Sequence, residues 1–106
     1  FDALVRFDAA DGTVQRWNYS QNGRVAYGNE APFAPKQGAT AHGQNDDAQE
    51  DDGYIVTIVT DTNDWESECH VFDARQVEAG PVARVKLGCR VPAGFHANWV
   101  DGGSLW

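Results

Sequence analysis

Short segments in which apolar and polar residues alternate recur along the chain, and turn-forming residues separate them. Residues 3–7 alternate in this way, and residues 13–19 alternate again after an Asp-Ala-Ala-Asp-Gly sequence. A period of two is typical of a half-buried strand, and a short Asp/Gly turn joins two such strands into a hairpin. The pattern therefore predicts a hairpin over residues 1–19.

Four more strands are predicted in the middle of the chain, at residues 30–35, 54–60, 66–72 and 82–87. The first contains two prolines, which limit it to a short strand at a sheet edge or around a close approach of the backbone. The second, Tyr-Ile-Val-Thr-Ile-Val-Thr, is apolar on both sides, as expected of a strand that is covered on both faces. The last two alternate, and the sequence between them favours a connector with one helical turn. The stretches 20–29 and 36–52 are polar and are predicted to be loops.

The sum is about seven short strands and almost no helix, which predicts an all-β fold of the sandwich, barrel or propeller type. Residues 30–87 hold four successive strands in meander order, as one propeller blade requires. Pro92 and Gly94 interrupt the periodic pattern and indicate a sharp turn, and residues 95–100 after them predict one further short strand. No internal repeat is visible, so the alternation alone does not choose among these architectures.

Composition narrows the class of protein. The chain has 106 residues and begins with a strand pattern, so we expect it to be a piece of a larger domain. Its formal net charge of −8 argues against binding to nucleic acid or to anionic lipid, which both need a basic surface. No run is long enough for a transmembrane helix. Cys69 and Cys89 match no zinc motif, and two reduced thiols in an intracellular protein are favoured over a disulfide, so a cytoplasmic location is expected.

The acidic run at residues 46–52 does not match a calcium-binding loop. The glycine of such a loop occupies its sixth position, so Gly53 would place the first ligand at Ala48, which offers no side-chain oxygen. A solvated acidic turn is the preferred interpretation.

The three histidines differ in their surroundings. His42 lies in a predicted loop, and His70 alternates with Glu68 on the polar side of a strand, so both are predicted to face solvent and to bind no metal. His96 begins a short, stiff segment after a sharp turn, where a side chain can be aimed at a fixed point, as metal coordination needs. A lone histidine beside aromatic residues is, however, more often simply packed or exposed.

Six segments occur in order along the chain: the hairpin at 1–19, Glu-Ala-Pro-Phe at 30–33, Glu-Asp-Asp-Gly-Tyr at 50–54, Phe-Asp-Ala-Arg at 72–75, the strand at 81–87 and Val-Pro-Ala-Gly-Phe-His at 91–96. Together they resemble the carotenoid cleavage oxygenase family. The match departs at Pro32, one place later than the usual proline, and at 41–49, which resembles an insertion.

The resemblance implies a seven-bladed β-propeller of which this chain is the last blade with its flanking strands. Residues 1–19 would be the outer hairpin of one blade, residues 30–87 a four-stranded blade, and residues 95–100 the inner strand of the closing blade. It also implies a non-haem iron(II) dioxygenase that uses O2 to cleave a conjugated C=C bond of a carotenoid, apocarotenoid or stilbene into two carbonyl products.

By position, His96 matches the fourth iron-binding histidine, and Glu30 matches a glutamate that accepts a hydrogen bond from a ligand histidine. The other three histidine ligands would lie outside this chain, in the rest of the propeller, and the chain alone is expected to be inactive. Because the inner strands of neighbouring blades meet at the propeller axis, Glu30 and His96 are predicted to lie close together.

Two alternatives do not use the resemblance. The first is a stand-alone β-sandwich module that binds carbohydrate through exposed tryptophans, with Trp17, Trp65, Trp99 and Trp106 as candidates. The second is a structural β-domain without a site.

Overall fold

The computed structural model describes residues 1–36 and 50–102. Its strands are β1 Ala3–Phe7, β2 Val14–Asn18, β3 Ala26–Gly28, β4 Phe33–Pro35, β5 Gly53–Asp61, β6 Ser67–Asp73 and β7 Ala83–Lys86, with a 3₁₀-helix at Val77–Ala79. The predicted all-β class is confirmed, and the helical turn lies within the predicted connector. Within these two ranges, no helix is long and apolar enough to span a membrane. His42, Ala48, Trp106 and the 41–49 insertion lie outside the described residues.

The predicted hairpin is formed by β1 and β2, which pair antiparallel from Ala3 opposite Asn18 to Phe7 opposite Val14. Asp8 and Asp11 accept hydrogen bonds from backbone N–H groups two residues further on, which is the usual role of aspartate in turns. Gly12 adopts a φ of 73°, a conformation that glycine accepts without steric cost.

The remaining strands form one antiparallel sheet with β5 at its centre. β4, β5, β6 and β7 follow one another in meander order, so the predicted four-stranded sheet is confirmed. β3 adds a fifth strand beside the C-terminal half of β5, within a stretch predicted to be a loop. Three residues are too few to show alternation, and β3 forms because β5 offers it free backbone donors and acceptors.

β3 and β4 together form an edge strand with one extra residue. Four residues separate Gly28 from Phe33, whereas three separate their partners Val59 and Ile55 on β5. An extra residue on one strand of an antiparallel pair, here on the edge opposite β5, defines a β-bulge. Such bulges re-aim side chains and often lie beside functional sites. The Thr57 hydroxyl donates to the carbonyl of Asn29, at 3.0 Å, and so satisfies a backbone group inside the bulge.

The hydrophobic core lies between the hairpin and one face of the sheet. Its buried members are Tyr19, Ala26, Val59, Phe72 and Val77, and Leu4, Trp17 and Ile55 pack against them. Burial of this apolar surface attaches the hairpin to the sheet, together with two backbone hydrogen bonds between Phe1 and Gly28 of β3.

An ion-pair cluster just before the start of β5 also joins the hairpin to the sheet. Asp51 accepts hydrogen bonds from Arg6 of β1, at 2.8 Å, and from Arg75 after β6, at 3.2 Å. Partial burial alone would raise the Asp51 pKa, but the hydrogen bonds from Arg75 and Arg6 outweigh it, and the pKa lies below its ordinary value. Part of the Glu-Asp-Asp-Gly motif thus has a structural role.

The prediction that His70 faces solvent is wrong. The alternation in β6 is as predicted, but the side that carries Glu68, His70 and Phe72 faces the hairpin, and His70 is only 6% exposed. The polar residues suggested an outer face because the sequence does not show that the hairpin folds over them.

The predicted strand at residues 95–100 is absent. Residues 88–100, here called the His96 arm, form no strand and are exposed except at the half-buried Val91. A strand needs a neighbour that completes its ladder, and no described strand lies alongside.

Cys69 is half buried, Cys89 is exposed within the arm, and both thiols are free.

A test of the edge-strand packing uses Gly53, the first residue of β5. A Cβ atom there would lie 2.6 Å from the Phe33 ring and even closer to the Ala34 carbonyl oxygen, which is backbone and cannot yield cheaply. We expect Gly53→Ala to lower the free energy of unfolding of the full-length protein by about 1–3 kcal/mol, the usual effect of overpacking. Urea unfolding measures this change.

Gly94→Ala is the matched control, because a Cβ atom at Gly94 would have only an ordinary contact at 3.8 Å. It should leave stability unchanged or slightly raised, since alanine restricts the unfolded chain. Equal stabilities of the two variants would contradict the packing described here.

Candidate metal centre

Glu30 lies inside the bulge between β3 and β4, so its side chain is not part of the regular sheet. Asn29 before it keeps one ladder bond, from its N–H to the carbonyl of Ile58 at 2.9 Å, and Pro32 after it accepts from the Val56 N–H at 3.1 Å. The backbone is thus fixed on both sides of Glu30, and about one third of the Glu30 side chain is exposed. Pro32, which lies one place later than in the family pattern, therefore does not displace Glu30 from this fixed backbone.

The His96 arm passes directly over this bulge. His96 Nδ1 lies 3.2 Å from Glu30 Oε1, and the Ala97 N–H donates to Glu30 Oε2 at 2.6 Å. One carboxylate therefore holds both the imidazole ring and the backbone just beyond it. The predicted proximity of Glu30 and His96 is confirmed.

This contact determines which ring nitrogen of His96 carries the proton. The hydrogen bond from the Ala97 N–H, followed by that from His96, lowers the pKa of Glu30 below its ordinary value, so the carboxylate is ionised at neutral pH and can only accept. Nδ1 must then be the N–H donor, which leaves the lone pair of a neutral ring on Nε2. This is the arrangement found in metal-ligating histidines, whose other nitrogen is held by a carboxylate or carbonyl.

Nε2 is also accessible. The His96 side chain is 92% exposed, and no described residue forms a hydrogen bond to Nε2. Residues 1–36 and 50–102 contain no group of three or more histidine, cysteine or acidic side chains that could hold a metal ion together. His96 Nε2 is therefore free to bind a metal ion, and the described residues do not by themselves form a complete metal site.

An apolar cleft of about 240 Å³ adjoins His96. Its apolar lining comes from both the sheet and the arm, namely Pro32, Val56, Ile58, Ala97 and Trp99. A cleft with an apolar lining and few polar groups is typical of sites for hydrophobic small molecules.

Several contacts around His96 carried no signal in the sequence. Ala97 contributes a backbone N–H, and the Asn29 side chain donates to the Pro92 carbonyl at 3.4 Å. Ser67, on β6, accepts a hydrogen bond from the Val91 N–H at 2.8 Å. Backbone donors are invisible in residue types, and Asn29 and Ser67 belong to segments distant in sequence, so only the fold brings them to the arm.

His70 forms a separate pair with Glu68, with 3.0 Å between Nε2 and Oε2. It lines a second cleft of about 300 Å³ between the hairpin and the sheet, together with Arg84 and Lys86. Burial lowers the His70 pKa, and the hydrogen bond to Glu68 opposes this effect only in part. Nδ1 is buried and has no partner among the described residues.

The tryptophans do not share one surface. Trp17 packs against the core, Arg90 stacks on Trp65 at 4.6 Å from the ring centre, and Trp99 lines the cleft beside His96. The structure therefore gives no support to a carbohydrate platform built from Trp17, Trp65 and Trp99.

Comparison with known proteins identifies the family. The chain matches the retinal pigment epithelial membrane protein (RPE65) family over residues 1–101. It belongs to this family, that of the carotenoid cleavage oxygenases, as the six segments indicated.

Three relatives illustrate the match. The chain is 45% identical over 74 residues to carotenoid 9,10(9',10')-cleavage dioxygenase 1 of Pisum sativum, covering 70% of this chain and 13% of that protein. It is 30% identical to isoeugenol monooxygenase of Pseudomonas nitroreducens over 100 residues, covering 94% of this chain and 19% of the enzyme. The crystal structure of lignostilbene dioxygenase from Pseudomonas brassicacearum matches with a TM-score of 0.78 and 27% identity, over 96% of this chain and 19% of that one.

The all-β fold thus matches the propeller-type structures of this family. The chain spans between 13% and 19% of the length of these three relatives.

The buried His70 generates a prediction about pH. Because its pKa in the folded state lies below the ordinary value of 6.5, the unfolded chain binds the proton more tightly. The contribution of His70 to the free energy of unfolding should therefore be fully present above pH 6.5 and be lost as the pH drops toward the folded-state pKa. Urea unfolding of the full-length protein from about pH 7.5 to about pH 5 measures this loss.

In His70→Phe the loss on acidification should be smaller, because no imidazole has to be protonated. In Glu68→Gln it should be larger, because Glu68 favours the charged ring. The same pH dependence in the wild type and in His70→Phe would contradict this account of His70.

Proposed function

We propose that this chain is the C-terminal part of a non-haem iron(II) dioxygenase that cleaves a conjugated C=C bond of a carotenoid, apocarotenoid or stilbene. The observation that carries the proposal is the Glu30–His96 pair, which leaves His96 Nε2 accessible and fixes the opposite nitrogen. In this proposal residues 1–19 are the outer hairpin of one blade, residues 30–87 are the last full blade, and residues 95–100 lie at the start of the closing blade.

His96 would be one of four histidine ligands, with the other three outside this chain. Imidazole nitrogen suits iron, and a carboxylate on the other ring nitrogen fixes ring orientation and raises ligand basicity. When bound, the iron supplies the site at which O2 reacts with the alkene. Glu30 holds the proton on Nδ1 throughout, so that Nε2 remains a donor.

The apolar cleft beside His96 supports a hydrophobic substrate. Val56 and Ile58 of β5 form one side, and Trp99 of the arm adds an aromatic surface that suits a conjugated chain or ring. The relatives are named for carotenoid, isoeugenol and lignostilbene reactions, which share a double bond conjugated to an unsaturated system. One C=C bond and one O2 give two C=O groups, so the atoms balance without another reductant.

The test is made in the full-length protein. We expect His96→Ala to abolish iron retention and O2-dependent alkene cleavage, since a donor atom is lost. Glu30→Gln should leave the fold intact but lower iron affinity or turnover by about 10–100-fold, the usual effect of losing the partner of a ligand histidine. Iron content and turnover are measured for both variants.

Two controls match these changes. His70→Gln alters the other described histidine, and Glu78→Gln neutralises an exposed glutamate after β6. Both should retain iron. Full activity and iron content in His96→Ala would refute the proposed function.

A further inference from the structure

We infer that Ser67 and Thr60 are positioning residues for His96, in that their paired hydroxyl groups fix the point at which the His96 arm leaves the sheet. The inference rests on the proposed function, because the purpose of the positioning is to hold His96 toward iron. Neither residue belongs to the six segments that indicated the family.

The hydroxyl pair is fully buried. Thr60 and Ser67 are direct cross-strand partners on β5 and β6, their exposures are 2% and 1%, and their hydroxyl oxygens lie 2.7 Å apart. Thr–Ser pairs of this kind stabilise a sheet, so the pair by itself needs no further explanation.

The third partner of the pair points to a wider role. Ser67 Oγ also accepts the Val91 N–H at 2.8 Å, and Val91 is the half-buried residue in an otherwise exposed arm. The Ser67 backbone adds two further bonds, from its N–H to the Cys89 carbonyl at 3.0 Å and from the Leu87 N–H to its carbonyl at 3.1 Å. Ser67 is thus bonded to Leu87, just before the arm, and to Cys89 and Val91 within it.

The arm is therefore fixed at two ends. Ser67 holds it at Val91, and Glu30 holds it at His96 and Ala97. Only four residues separate Val91 from His96, and Pro92 restricts the backbone between them. With no strand ladder in the arm, these hydrogen bonds replace the positioning that a sheet would give. Loss of the first tether would let His96 move relative to the other ligands, although Glu30 could still contact its ring.

The experiment uses the full-length iron-loaded protein and three hydroxyl substitutions. Ser67→Ala removes the acceptor of the Val91 N–H, Thr60→Val removes only the partner of Ser67 at nearly constant volume, and Thr62→Val is the matched control. Thr62 also forms a hydroxyl bond, at 2.8 Å, but to the Val25 carbonyl rather than to the arm. The readouts are the rate of Fe(II) loss to excess chelator, the visible spectrum of the Co(II)-substituted protein and the urea unfolding midpoint.

We expect Ser67→Ala to speed iron loss by about 10-fold and Thr60→Val by about 3-fold, at or below the low end of effects from the surroundings of a metal ligand. The Co(II) spectrum should change in both, since it reports ligand geometry rather than global stability. Thr62→Val should match the wild type in iron loss and spectrum. Adding Thr60→Val to Ser67→Ala should have no further effect on iron loss, because Thr60 acts through Ser67.

The outcomes separate this inference from the proposed function. If His96→Ala retains iron like the wild type, the proposed function fails, and the positioning inference fails with it. If His96→Ala loses iron but Ser67→Ala and Thr60→Val release it at the rate of Thr62→Val, the positioning inference alone is overturned. If Ser67→Ala does not fold, Thr60→Val decides by the same comparison.

Discussion

The site depends on one interruption in the sheet, the bulge between β3 and β4. β5 offers a continuous row of backbone groups, and the edge strand opposite it contains one residue too many. Its prolines remove two N–H donors, and the Thr57 hydroxyl satisfies the Asn29 carbonyl that the irregular backbone presents. In a regular strand, Glu30 would point to one face of the sheet. In the bulge, its carboxylate meets the His96 arm.

The rest of the described chain keeps this bulge and the arm in fixed relation. The core between hairpin and sheet covers one face of β5, and the Asp51 ion pairs join the hairpin to the sheet near the start of that strand. On the other face, Ser67 binds the start of the arm, and the Thr60 hydroxyl pairs with that of Ser67. A single carboxylate, Glu30, then completes the arrangement, because its two oxygens hold the ring of His96 and the backbone of Ala97.

The two histidines of the described chain show how surroundings separate roles. Both lie 3.0–3.2 Å from a glutamate oxygen, and both belong to segments with alternating or aromatic neighbours. His70 is buried, and burial disfavours its charged form. His96 presents its second nitrogen to solvent. A glutamate–histidine pair thus gives a packed, structural histidine at His70 and an accessible nitrogen lone pair at His96.

The sequence determined the strands whose alternation is long enough to see, the hairpin, the meander order and the family, because these depend on local pattern and residue type. Through the resemblance to the family, it also predicted that Glu30 and His96 lie close together. Only the tertiary structure decided which side of β6 is inward, where β3 joins, how the bulge shifts the register, and that residues 95–100 form no strand here. These features depend on which distant segment covers a face or completes a ladder, and no local pattern encodes the identity of that partner.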